Sequence, residues 1–165
     1  MIKIAIILGS TRPGRNGEAV AKWVYEVAKK RSDAEFELVD IKDFNLPLLD
    51  EPVPPTMGQY SKPHTKVWAD KIGSFDAYVF VTPEYNHGTC AALKNAIDFL
   101  FAEWTNKAAG FVSYGGASGA RGRAAASEPG GGANGHRAQP SLALLVYRLR
   151  KLQRLQARSN KGTVR

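Results

Sequence analysis

Two rhythms of apolar residues alternate along the chain up to about residue 120. Ile2 to Leu8 is an almost unbroken apolar run that stops at Gly9-Ser10, the pattern of a parallel strand buried on both faces. From Glu18 to Lys30, Val20, Trp23, Val24 and Val27 recur at i, i+3, i+4 and i+7, with Lys22, Glu26 and Lys29 opposite, which predicts an amphipathic helix. Phe36 to Ile41 reads as a second strand, and the proline-rich stretch from Leu46 to Pro55 as a loop. A weaker helix is expected over His64 to Gly73, a third strand over Ala77 to Thr82, a helix over Ala91 to Glu103 with Leu93, Ile97 and Leu100 on one face, and a fourth strand over Ala109 to Tyr114.

Strands alternating with helices imply a parallel sheet with right-handed crossovers, whose ligands sit at the carboxyl ends of the strands. Three segments fall at such ends: Gly9 to Gly17, Pro83 to Gly88, and Ser113 to Gly119. Each is rich in Gly, Asn or Ser, so backbone amides can approach an anion or a polar ring edge. The first sets hydroxyls, the guanidiniums of Arg12 and Arg15 and free amides before the helix that starts near Glu18, which suits a phosphate group. A glycine-rich strand-to-helix turn can also be only a turn. The glycine spacing matches neither G-x-G-x-x-G nor the P-loop pattern, which disfavours both. Asp40, where a dinucleotide-binding fold would hold ribose, reads as a solvated strand end.

The second segment, Thr82-Pro83-Glu84-Tyr85-Asn86-His87-Gly88, leads into Leu93-Lys94-Asn95-Ala96-Ile97-Asp98. With Gly9-Ser10-Thr11-Arg12, it resembles the NADPH-dependent FMN reductase family of flavodoxin-like proteins, from Met1 to about Arg121. The resemblance implies a three-layer αβα fold with a parallel sheet in the order 2-1-3-4. It implies FMN as cofactor and NADPH as reductant. By position, Ser10, Arg12, Asn16 and Gly17 would hold the FMN phosphate, and Pro83, Glu84, Tyr85 and Asn86 would border the flavin ring. Ser113, Gly115 and Gly116 would lie near the ring's pyrimidine edge. Where the family often has a serine at the start of the first helix, this chain has Gly17. A homodimer or homotetramer is also implied, as is a small acceptor such as a flavin or quinone.

Hydride transfer through a flavin needs no protein acid, base or nucleophile, so no catalytic residue is assigned. His64, His87 and His136 lack metal-ligand spacing, and no metal site is expected. Cys90, the lone cysteine, is read as a small packed thiol rather than a reactive one, and Lys94 and Asp98 as a solvated i, i+4 pair. With one cysteine, no leader-like segment and no apolar run of about 20 residues, a cytoplasmic location without membrane attachment is expected.

The formal net charge of +8 changes this picture only at the end of the chain. Through Arg121 there are 14 Lys and Arg against 14 Asp and Glu, whereas residues 122–165 hold 9 against 1. Every Phe and Trp precedes Arg121. The sequence therefore divides into an FMN-binding unit over 1–121 and an atypical basic, Ala/Gly-rich tail over 122–165, with no fifth strand expected. A flexible linker and short basic helix would account for the tail. So would a change of reading frame, since Val146 to Asn160 can be back-translated into codons that encode a family-like peptide one nucleotide later. Alternatives to a reductase are a non-catalytic module whose basic tail holds nucleic acid or an anionic surface, and a truncated inactive reductase. A nucleic-acid partner is not favoured, because the charge belongs to the tail alone.

Overall fold

The computed structural model describes residues 1–116, Gly119 and the backbone of 144–146. The rest of the tail, including His136 and the basic stretch Arg148 to Gln156, lies outside the described residues. Four strands were expected and form: β1 (Ile2–Leu8), β2 (Ala34–Asp40), β3 (Ala77–Pro83) and β4 (Ala108–Tyr114). They pair in parallel in the order β2-β1-β3-β4. The order reverses at β1, so the loops after β1 and β3 open onto a crevice at the strands' carboxyl ends.

The expectation of a missing fifth strand is corrected. A three-residue β5 (Leu144–Val146) pairs in parallel with β4, setting Phe111, Val112 and Ser113 opposite Leu144, Leu145 and Val146. Without it, the outer edge of β4 would present a row of unpaired amides and carbonyls. The apolar run beginning at Leu142 supplies the partner.

Helix α1 (Gly17–Ala28) covers one face of the sheet and α2 (Pro63–Gly73) and α3 (Ala91–Asp98) the other. Ile6, Leu8, Val81, Val112 and Tyr114 pack with Val20, Ala21 and Val24 on the α1 side. Ala5, Ile7, Phe80 and Phe111 pack with Trp68, Ile72, Leu93 and Phe99 on the other. Successive strand residues thus enter opposite cores, which is why these strands read as unbroken apolar runs. The buried stripe of α1 is Gly17, Val20, Ala21 and Val24. Val27, expected on that stripe, flanks it and is half exposed.

Helix α3 stops five residues before its expected end at Glu103. The chain turns at Phe99, burying Phe99 and Leu100, and a short 3-10 turn over Ala102–Trp104 follows. Two indoles cap the shortened helix: Trp68 Nε1 donates to the Ala96 carbonyl at 2.8 Å and Trp104 Nε1 to the Ile97 carbonyl at 3.1 Å. The first satisfies an acceptor that a helix end otherwise leaves open, and the second adds to the Leu100 N–H that already reaches the Ile97 carbonyl at 3.2 Å.

The proline-rich loop is anchored at two points. Asn95, from the Leu93–Asp98 motif, donates to the Pro47 carbonyl at 2.6 Å and accepts from Leu49 N at 3.0 Å. Glu51 accepts from Ser61 N, Ser61 Oγ and Lys62 N at 2.8–3.0 Å. Burial pushes the Glu51 carboxyl up, but the Thr65 hydroxyl and the Ser61 and Lys62 donors outweigh it and hold the group at about 2, against an ordinary 4.5. A carboxylate held low stabilises the fold fully above about pH 4.5 and loses that contribution as pH falls toward about 2. Glu51→Gln should therefore flatten the acid limb of the stability curve, by on the order of 1 kcal/mol after solvent screening. Urea midpoints at pH 7 and pH 3 check this: the gap between them should narrow in the variant.

Candidate functional site

The loop leaving β1 begins where the backbone is tightly held. Gly9 N–H donates to the Val81 carbonyl at 2.9 Å. A Cβ on Gly9 would lie 3.0 Å from Leu93 Cβ and 3.1 Å from the Val81 carbonyl. The Cys90 thiol donates to the Gly9 carbonyl at 3.1 Å and is buried, and burial pushes it up from its ordinary pKa. It is the packed thiol the sequence suggested, and it fixes the root of the loop.

The two arginines of this loop have different fates. Arg15 is nearly enclosed, with its side chain 5% exposed. It donates to the Ser10 carbonyl, to both oxygens of Asp40 and to Glu18 Oε1. Burial lowers its pKa, but the hydrogen bonds and charges of Asp40 and Glu18 raise it further. Asp40 also accepts from Lys42 N. It is thus an anchoring carboxylate rather than a solvated strand end, and it is committed to the loop. Arg12, by contrast, is exposed and has no hydrogen bond or ion pair among the described residues.

Helix α1 opens five residues after Arg12. Its N-cap, Asn16, makes no side-chain cap, and the first helical bond is Val20 N–H to the Asn16 carbonyl. The amides of residues 17–19 therefore face the loop without intrahelical partners. Together with the helix dipole they form an electropositive end suited to an anion.

The loop after β3 is a tight turn. Tyr85 and Gly88 exchange backbone hydrogen bonds at 2.9 and 3.0 Å, and the two central residues, Asn86 and His87, have φ of 47° and 66°. Two left-handed residues in succession define a type I′ turn, and Asn and His are among the side chains that tolerate that region. The turn exposes Tyr85, Asn86 and His87 and buries Pro83.

The three loops meet. Ser10 Oγ lies 3.5 Å from the Tyr85 hydroxyl. Glu84 N–H donates to the Tyr114 carbonyl at 2.8 Å, and a Cβ on Gly115 would come within 2.8 Å of Glu84 Cβ. A Cβ on Gly17 would lie 2.7 Å from the Tyr114 hydroxyl and from Leu8 Cδ1. Ser10, Gly17, Glu84, Tyr85 and Gly115 are thus joined by direct neighbours. Arg12, Asn16, Asn86 and Gly116 ring them as exposed positions. Ser113 is opposite Thr82 in the sheet, and its hydroxyl is buried with no partner among the described residues.

The Ser113 hydroxyl, the uncapped helix start and the Arg12 guanidinium are polar groups without a partner among the described residues. An anionic tail joined to a flat polar ring matches that donor set. Among the described residues no three His, Cys, Asp or Glu side chains cluster to hold a metal ion. His64 pairs with Asp50 at 2.9 Å, and Lys94 pairs with Asp98 at the surface. No helix among the described residues is long and apolar enough to cross a membrane. Sequence reasoning missed the clamp role of Arg15 and the reach of Tyr114, which depend on contacts between distant loops.

The model of the NADPH-dependent FMN reductase family matches residues 2–144, past Arg121 where the motif resemblance ended. The chain is 46% identical over 134 residues to an NAD(P)H-dependent FMN reductase of Nectria sp, covering 78% of this chain and 67% of the relative. It is 35% identical over 123 residues to an NAD(P)H:quinone oxidoreductase of Solanum tuberosum, covering 72% and 61%. Among solved structures it is similar to a flavoenzyme NAD(P)H:(acceptor) oxidoreductase of Paracoccus denitrificans, with a TM-score of 0.55, 25% identity, and coverage of 69% and 61%. The chain thus spans 61 to 67% of the length of these relatives. By its fold, its three loops and this match over most of its length, the chain belongs to the NADPH-dependent FMN reductase family.

Proposed function

We propose that this protein holds FMN in the three-loop crevice and uses NADPH to reduce a small acceptor, a flavin or a quinone. The observation that carries the reading is the uncapped start of α1, five residues after an exposed Arg12 that has no partner among the described residues, at the point where the sheet order reverses. The relatives named as FMN and quinone reductases support it. When bound, FMN supplies the hydride chemistry, taking a hydride from the nicotinamide and passing reducing equivalents to the acceptor.

The chain's own residues bind and orient. Ser10, Arg12, Asn16 and the amide of Gly17 hold the phosphate. The turn from Pro83 through Asn86 borders the ring, while Ser113 and the amides of Gly115 and Gly116 face its polar edge. Arg15 contacts no ligand; tied to Asp40 and the Ser10 carbonyl, it holds the first loop in shape. The reading includes a cytoplasmic homodimer or homotetramer, and a division into a flavin-binding unit over 1–121 and a basic tail over 122–165 with no part in the chemistry.

The full chain, incubated with FMN and desalted, should keep a yellow flavin spectrum that bleaches when NADPH is added anaerobically and returns on adding a quinone. A protein that retains no FMN would refute the proposal. Arg12→Ala should weaken FMN binding about tenfold, the scale of one charge-assisted hydrogen bond. Its melting temperature should barely move, because Arg12 is an exposed side chain without partners among the described residues.

A further inference from the structure

We propose that the Tyr114 hydroxyl is a further phosphate-contacting donor, standing where a side chain on Gly17 would otherwise stand. This rests on the FMN reading above and adds to it a residue from β4, two strands away from the loop that carries the other phosphate contacts.

Tyr114 ends β4, yet its hydroxyl lies 2.7 Å from the position a Gly17 Cβ would occupy at the start of α1. Its side chain therefore reaches across β3 to the first turn of the helix. The ring is 5% exposed and packs with Leu8, Val20 and Val112, an apolar setting that phenylalanine would fill equally well. A hydroxyl carried into such a place costs free energy unless it finds polar partners. The polar groups on offer are at the helix start: the Gly17 Cβ position that lies 2.7 Å from the phenol oxygen lies 3.7 Å from Ser10 Cβ, and the amides of residues 17–19 begin there.

The same contact explains Gly17. Its backbone is helical, so glycine is not needed there for conformation. It is needed for room, because any Cβ would meet the phenol oxygen and Leu8. Glycine at the helix start and tyrosine at the strand end are thus one arrangement, in which the donor arrives from β4 instead of from α1. Burial pushes the Tyr114 phenol well above its ordinary pKa, so it stays protonated and able to donate.

The test compares FMN with riboflavin, which lacks the phosphate, using dissociation constants from flavin fluorescence quenching on the full-length protein. Tyr114→Phe should weaken FMN about tenfold and leave riboflavin unchanged, the loss of one hydrogen bond to a charged group. Gly17→Ser should also weaken FMN in the intact background. In the Tyr114→Phe background the same serine should restore FMN affinity to within about threefold of wild type, because the fixed phenol oxygen is gone, the remaining neighbour is the rotatable end of Leu8, and the hydroxyl is returned. Equal weakening of both flavins in Tyr114→Phe would overturn the inference and make the tyrosine a packing residue. So would no change, or two weakened single variants with no recovery in the double. Should Tyr114→Phe fail to fold, Gly17→Ser alone decides: undiminished preference for FMN over riboflavin overturns the inference. Wild-type protein that takes up neither flavin overturns the underlying FMN reading, a result distinct from all of these.

Discussion

Replacing Trp68 with alanine should cost the fold about 3–5 kcal/mol, the range for removing a large aromatic from a packed core. Trp68 is fully buried, and its ring meets Phe44 edge-on with centroids 4.6 Å apart and Trp104 at 6.3 Å. Alanine would leave a void between α2, α3 and the sheet. It would also strand the Ala96 carbonyl, which lies in the last turn of α3 and receives the indole N–H at 2.8 Å. The two losses can be separated. Trp68→Phe keeps most of the apolar volume and removes the donor, so it should cost less than half as much. Urea unfolding with an unchanged m-value reads both, and near-equal destabilisation by Phe and Ala would show that the cap outweighs the packing. Because α3 also carries Leu93, which abuts Gly9, the alanine variant should loosen the root of the first loop as well.

The elements that could be read from the sequence are those whose signals are local. Ile2 to Leu8 is apolar at consecutive positions because both faces of β1 are covered, and that is visible without knowing the covering helices. The first helix is visible through its stripe, although Val27 lies just off the buried arc. Long-range contacts set the remainder. The end of α3 is decided by indoles 28 and 7 residues away, and β5 by the free edge of β4. In the site, the order of the loops could be read from the strand ends, but the separate fates of Arg12 and Arg15 could not. Both are guanidiniums in one loop, and Asp40, 25 residues on in the chain, joins the Ser10 carbonyl and Glu18 in withdrawing Arg15 from solvent. Tyr114 falls within the third loop segment by sequence, but nothing local shows where a tyrosine's hydroxyl arrives. Motif resemblance added what local pattern lacks, and Asn95 shows that a motif residue can serve the scaffold: its amide holds the proline-rich loop.

The meeting of the second and third loops yields the other large effect. Gly115→Ala should destabilise the protein by about 1–3 kcal/mol, as overpacking does where neighbours cannot yield. The added Cβ would stand 2.8 Å from Glu84 Cβ and 3.8 Å from its Cα, contacts fixed to backbone on both sides that no rotamer change relieves. The loops must separate, and the bond from Glu84 N–H to the Tyr114 carbonyl, now 2.8 Å, lengthens or breaks. Gly116→Ala is the matched control for stability. Its Cβ would meet nothing within 4 Å among the described residues, so its melting temperature should stay near that of wild type. The separation matters beyond stability, because Glu84 and Gly115 belong to opposite walls of the proposed flavin site. Gly115→Ala should therefore lose FMN affinity by more than tenfold while its far-ultraviolet circular dichroism stays that of a folded α/β domain. If the variant melts with wild type and binds FMN equally well, the walls have slack that the 2.8 Å approach denies. If it loses stability but keeps FMN, the flavin does not depend on that wall spacing, and the assignment of Glu84 and Gly115 to the site fails while the packing argument stands.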